Sequence, residues 1–198
     1  MKSTDPQVTA ARKLATLAEE LRTGKSFRIT RLTVLKRLCA EWESAAPFAC
    51  FLAGRSQDHF RTAPPPLLKF DDVEAFRSLI ANAVSSIDAY MAAPTRDAEL
   101  SLRAARRELE SAQSDTRDTK WATVRTIHSR DALVVENAIH CILDPRSAGV
   151  WGYRLGCEYA ERYDPRHGTG LVPESAPRVR EIATFWLTHP SKSPTPRG

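Results

Sequence analysis

Six side chains between positions 21 and 40 are cationic (Arg22, Lys25, Arg28, Arg31, Lys36 and Arg37), and no carboxylate interrupts them. Guanidinium and ammonium groups at this density neutralise phosphates or pair with acidic side chains, and affinity gained in this way falls as salt rises. The six are therefore the candidate contacts to an anionic partner, either nucleic acid or an acidic protein surface. On a helical projection Lys36 and Arg37 flank opposite edges of a Leu32, Leu35, Leu38 stripe, so they do not build one ridge. Phe27 is the only aromatic residue among them, which leaves no platform for stacking bases. A helix capped at Thr30 would add backbone amides to a phosphate site.

Other chemistry is sparser. The string Thr23-Gly24-Lys25-Ser26 imitates a phosphate loop, but the position five before Gly24 is Glu19, and no strand precedes it. A helix-turn-helix over 9–39 would need a turn of three or four residues, and the connector at 23–29 is longer. Glu136 and His140 stand four apart and share a helix face, a spacing that can hold a metal. The binuclear carboxylate bundle instead needs glutamate and histidine three apart on two helices, and the chain has neither. His140, between Ile139 and Cys141, reads as a core or interface histidine, and no metal is assigned. His59, His128 and His189 belong to no ligand pattern.

The loop at 163–175 gathers titratable groups, glycines and prolines between two helices. Arg166 and His167 are its groups able to meet an anion, and Gly168 and Gly170 would allow close backbone approach. A connector that reverses the chain needs the same residue types for geometry alone, so the structural reading is preferred. No serine, histidine and acid pattern can be assembled from these spacings, and no catalytic residue or cofactor is assigned. The reading is a non-enzymatic binding protein. The alternatives are a protein–protein adaptor, or an enzyme of unknown reaction using the 163–175 loop with Arg166, His167 or Glu136. Oligomeric state is not legible.

At 198 residues, with 42% apolar and 27% charged side chains, the composition is that of an ordinary globular chain. Folding a chain of this length removes roughly 70% of its unfolded surface from water, enough for a core without metals or disulfides. The net charge of +5 is uneven: residues 1–70 carry 12 basic against 6 acidic groups, and residues 71–93 carry 1 against 4. The positive excess thus belongs to the first third. Cys39 and Cys50 are eleven residues apart, and Cys141 and Cys157 sixteen, which fits no zinc or redox motif. All four are expected as buried, reduced hydrophobes. Met1 to Asp5 leads into a charged amphipathic segment, and the longest apolar stretch, 45–53, contains Pro47 and is too short to span a bilayer. These features predict no secretory leader, no membrane association and a cytoplasmic location.

The elements that must position these groups are helical throughout. Asp5-Pro6 and Gly24 bracket a first helix with Val8, Ala11, Leu14, Ala15, Ala18 and Leu21 on one face. Helices are predicted at 30–42, after Ser44 with Pro47 in the first turn, and at 72–92 behind an Asp71/Glu74 capping box. A polar helix from Thr95 to about 113 carries Glu99/Arg103 and Arg106/Glu110 at four-residue spacing, pairs worth about 0.2–0.5 kcal/mol each. A polar loop follows at 111–120, then a short helix around Trp121, Val124 and Ile127, and a separate apolar helix over 131–143. The last two are placed from Asp144-Pro145 to about 163 and over 176–189, the latter with Val179, Ile182, Ala183 and Trp186 inward. Trp42, Trp121, Trp151 and Trp186 fall at apolar positions and read as core.

The expected fold class is all-α, an irregular multi-helix bundle of about eight helices, with a short α-solenoid as the alternative. Residues 1–62 form its basic amino-terminal part and 63–70, with Pro64-Pro65-Pro66, an extended connector. Residues 71–189 form the main bundle, one domain with 1–62, and the proline-bearing tail at 190–198 is expected to be disordered.

Overall fold

The computed structural model describes residues 6–24, 29–62, 70–114, 122–164 and 168–189. Among them the chain forms α1 (Pro6–Arg22), α2 (Val34–Leu38), α3 (Trp42–Thr62), α4 (Phe70–Ala92), α5 (Arg96–Ser114), α6 (Ala122–Leu143), α7 (Ala148–Ala160) and α8 (Ala176–Thr188). Short 3-10 turns at Ile29–Thr33, Pro145–Ser147 and Pro173–Ser175 join them, with a small ribbon of β1 (Arg162–Asp164) antiparallel to β2 (Gly168–Gly170). The fold is all-α. No helix among the described residues is long and apolar enough to cross a membrane. Asp5, residues 63–69 of the expected connector, Trp121 and the 190–198 tail lie outside the described residues, as does the side chain of Asp71.

Packing decides between bundle and solenoid. In a solenoid each unit touches only its neighbours. Here α1 lies along α8, and α3 packs on α6 and α7 as well as on α4, so the architecture is an irregular bundle. One hydrophobic core runs from Ala10 to Trp186 and draws on both sides of the 63–69 segment. Gln7, buried near the start of α1, donates from Nε2 to the carbonyls of Trp186 (3.3 Å) and His189 (2.9 Å). Those contacts occupy acceptors at the end of α8, including one that a helix terminus leaves open. At the opposite end of α1, Arg180 of α8 reaches Glu19 at 3.2 Å, so the two helices run antiparallel. Phe48 of α3 packs against Trp186 and Phe185, with ring centroids 5.1 and 5.4 Å away.

Several boundaries differ from the sequence reading, each for a packing reason. The inner face of α1 is wider than expected: Gln7, Ala10 and Leu17 are buried, and Val8 and Ala15 only half so. The helix is covered by α8, by the 173–175 turn and by α2. The helix predicted at 30–42 is a 3-10 turn followed by the five residues of α2, and Thr30 caps no α-helix. Leu32, Leu35, Leu38 and Cys39 are all buried, and the chain must turn after Cys39 to start α3 at Trp42. Pro47 is therefore in the second turn of α3, exposed, and the carbonyl of Glu43 loses its helical donor.

The two helices expected around 121–143 are one, α6. Its polar middle is carried by partners on other elements: Arg130 meets Glu161 at 3.3 Å and Asp131 meets Arg178 at 3.5 Å. The helix expected to run to about 163 stops at Ala160, because Glu161 is extended (φ −61°, ψ 151°) and feeds β1. Trp186 is buried at 2% exposure, whereas Trp42 and Trp151 are half-buried against the core edge.

Candidate functional site

Along α1 the helical period turns Arg12, Lys13, Thr16, Glu19 and Glu20 away from the core. The Ile29–Thr33 turn brings Arg31 to this face, where its guanidinium meets the Glu20 carboxylate at 2.5 Å. Between them lies a groove of about 630 Å³, lined by Thr9, Arg12, Lys13, Thr16, Glu20 and Arg31 together with Leu17. Three cations thus face one carboxylate. Among the described residues neither Arg12 nor Lys13 makes an ion pair, so their charges stay open to a ligand.

Of the six cations that the sequence singled out, Arg31 lines this groove and Arg22 does not. Arg22 pairs in bidentate fashion with Glu19, which also receives Arg180. The Arg22 hydrogen bond holds the Glu19 carboxyl below its ordinary range, and the same contact raises Arg22. Arg22 and Arg31 line different grooves. Lys36 sits over the Tyr153 ring, 4.8 Å from its centroid, and Arg37 is exposed. Lys25 and Arg28 lie outside the described residues. Arg12 and Lys13 were missed because Glu19 and Glu20 follow them on the same helix face, which reads locally as mixed charge.

A second groove, of about 700 Å³, lies between α3 and α8 and is lined in part by Arg22, Arg55, Arg180, Phe51, Phe185 and Glu181. Its cations are already held. Glu19 takes Arg22 and Arg180, and Glu181 takes Arg55. Glu181 also accepts the Tyr159 hydroxyl proton, so one carboxylate links α3, α7 and α8. Burial alone would raise Glu181, but the bonds from Arg55 and Tyr159 outweigh it and its carboxyl is held below the usual value. Burial, reinforced by Glu181, pushes the Tyr159 phenol upward. This network is a structural tie in which each arginine has a carboxylate partner among the described residues.

No family model matches this chain, and no curated protein or solved structure matches it significantly.

Of the 163–175 loop, Arg166 and His167 lie outside the described residues. Gly168 and Gly170 belong to β2, opposite Asp164 and Arg162. A Cβ on Gly170 would meet nothing within 4 Å, so no described neighbour makes a close approach there. Ser175 accepts the Val172 amide at 3.2 Å and steadies the turn into α8. On α6, His140 gains a partner that its sequence neighbours do not reveal: Glu110 of α5, with Oε1 3.7 Å from Nε2. Glu136 lies 3.8 Å from the same nitrogen. All four cysteines are free thiols, with Cys39, Cys141 and Cys157 buried and Cys50 half-buried.

Proposed function

We propose that this chain is a cytoplasmic helical binding protein whose basic amino-terminal surface docks the phosphate backbone of a nucleic acid. The observation that carries this reading is the groove beside α1, where Arg12, Lys13 and Arg31 face the single carboxylate of Glu20. Exposed Lys36 and Arg37 extend positive charge along the same third of the chain. Contacts of this kind position a backbone without reading bases, in keeping with the lack of interleaved aromatic residues. The adaptor alternative draws less support, since the large exposed apolar side chains among the described residues are Leu100, Val150 and Leu187, one each on α5, α7 and α8.

Retention of a short duplex at rising salt tests the proposal. Phosphate contacts from the two cations left open, Arg12 and Lys13, give a slope of log affinity against log salt of about −1.8, a roughly twelvefold loss between about 50 and 200 mM. Arg12→Ala with Lys13→Ala should bring the slope close to zero. The reading fails if the duplex is not retained at about 50 mM salt, or if the double variant keeps the full slope. Equal competition by an acidic polypeptide would also overturn it, by making the partner a protein surface.

A further inference from the structure

The contact between α5 and α6 contains a group of side chains that the binding surface does not use. Glu110, Glu136 and His140 each offer one ligand atom, and these three atoms lie within 4.8 Å of one another. Two of the separations are 3.7 Å and 3.8 Å, both to Nε2 of His140. Protein ligands bind zinc at about 2.0–2.2 Å, so two atoms on one ion stand about 3.4 Å apart at a tetrahedral angle and at most about 4.2 Å. Both histidine legs already fall in that window. The carboxylate–carboxylate separation is within 4.8 Å, so reaching the tetrahedral spacing takes a movement of at most about 1.4 Å, which the partly exposed side chain of Glu110 can make.

We propose that Glu110, Glu136 and His140 bind one divalent first-row transition ion of the zinc class, stapling α5 to α6. The ligand set selects the ion. One imidazole with two carboxylates suits zinc better than magnesium or calcium, which prefer oxygen ligands throughout. Glu136 and His140, four apart on α6, present their ligand atoms on one helix face, and α5 supplies the third across the helix contact. The imidazole ring is clamped in place, stacked on Trp151 with centroids 4.3 Å apart and planes 11° from parallel. Trp151 is in turn held by its Nε1 donating to Asp144 at 3.4 Å.

Charges facing His140 come from three helices and a turn. Burial is the largest influence and lowers its pKa; Arg106 of α5 and Arg154 of α7 act in the same direction, while Glu110 and Asp144 oppose them. Coordination uses the neutral imidazole, the form that burial favours. Arg106 lies 3.1 Å from Glu110 Oε1 as an ion pair, yet its buried Nε makes no hydrogen bond among the described residues. Its charge opposes that of a metal, so Arg106→Gln should tighten binding.

The test is calorimetric titration of the full chain with zinc chloride in metal-free buffer at pH 7, with unfolding followed by circular dichroism. The expected result is one ion per chain, weakened at least tenfold by His140→Ala and by Glu136→Gln, and tightened by Arg106→Gln. At a hundredfold excess over Kd, zinc should raise the unfolding midpoint by about 5 °C or more. A readout without variants guards against misfolding: substoichiometric manganese should broaden the His140 ring resonances before those of other histidines. The proposal is overturned if no saturable heat is seen, or if affinity survives His140→Ala. It is equally overturned if binding disappears with Cys50→Ser while the three ligands are intact.

Discussion

Replacing Gly152 by alanine probes the contact on which α2, with Lys36 and Arg37, is mounted. A Cβ at position 152 would lie 2.4 Å from both Cβ and Sγ of Cys39, whereas ordinary contact begins at 3.4 Å. α7 and α2 must then separate by about 1 Å, or Cys39 must move as far. Cys39 has little freedom to do so, because it is fully buried and its Cβ is fixed to the backbone. An extra methyl in a packed contact costs about 1–3 kcal/mol. Alanine returns about 0.8–1 kcal/mol of helix propensity, leaving a net loss of up to about 2 kcal/mol. Gly54 of α3 is the control, since a Cβ there meets nothing within 4 Å. Gly54→Ala should gain about 0.8–1 kcal/mol. The propensity gain is common to both variants, so the difference between their urea-unfolding free energies isolates the steric cost, about 1–3 kcal/mol. Equal stability of the two variants would refute the close approach of α2 to α7.

Two further outcomes follow from buried groups. Tyr159→Phe removes a hydrogen bond to the Glu181 carboxylate and should cost about 1.5–3 kcal/mol at pH 7. Because Glu181 is held below its ordinary value of 4.5, its stabilising share is full above that pH and is lost as pH falls through the folded-state pKa. The deficit of Glu181→Gln relative to wild type, read from unfolding midpoints, should therefore shrink on acidification, and a constant deficit would contradict the Glu181 tie. Burial pushes Cys50 to about 11 and Cys141 and Cys157 to about 12, and raises Cys39 well above its usual range. At pH 8 a thiol reagent should modify the native protein slowly, half-buried Cys50 first, and all four thiols at once in denaturant. Rapid labelling of Cys39 would contradict its burial against α7.

The helices were legible where one repeat carried the whole signal. In α4 the spacing predicts a buried stripe of Val73, Phe76, Leu79, Ile80, Ala83, Val84, Ile87, Tyr90 and Met91. Of these, Ile80, Ala83, Val84 and Ile87 are buried, Phe76, Leu79, Tyr90 and Met91 are half-buried, and the side chain of Val73 lies outside the described residues. In α8 Val179, Ile182, Ala183 and Trp186 are buried. Pairs four apart were equally legible, as Glu99 with Arg103 and Arg106 with Glu110 both form, although the second is half-buried beside α6. The errors arose where a partner distant in sequence overrode local pattern. Residues 30–42 carry a helical stripe, yet the press of Leu35 and Cys39 against the α7 glycines and the turn into α3 leave only five residues of α-helix. The polar middle of α6 suggested a break, but Glu161 and Arg178 neutralise it from other elements.

The candidate sites divide in the same way. Density of positive charge along residues 21–40 is a property of the chain, but which cations stay open depends on where carboxylates land. Glu19 takes Arg22 three residues away, whereas Arg31 finds Glu20 eleven residues back across a turn. Glu136 and His140 share a face by helical period alone, while Glu110 joins them only because α5 packs on α6. Sequence by itself determined the helices, their apolar faces and the charge excess of the first third, because these follow from periodicity and composition over a few turns. Tertiary structure alone decided which charges are cancelled and which ligand atoms converge, because Coulomb and coordination distances are set by helix packing between residues far apart along the chain.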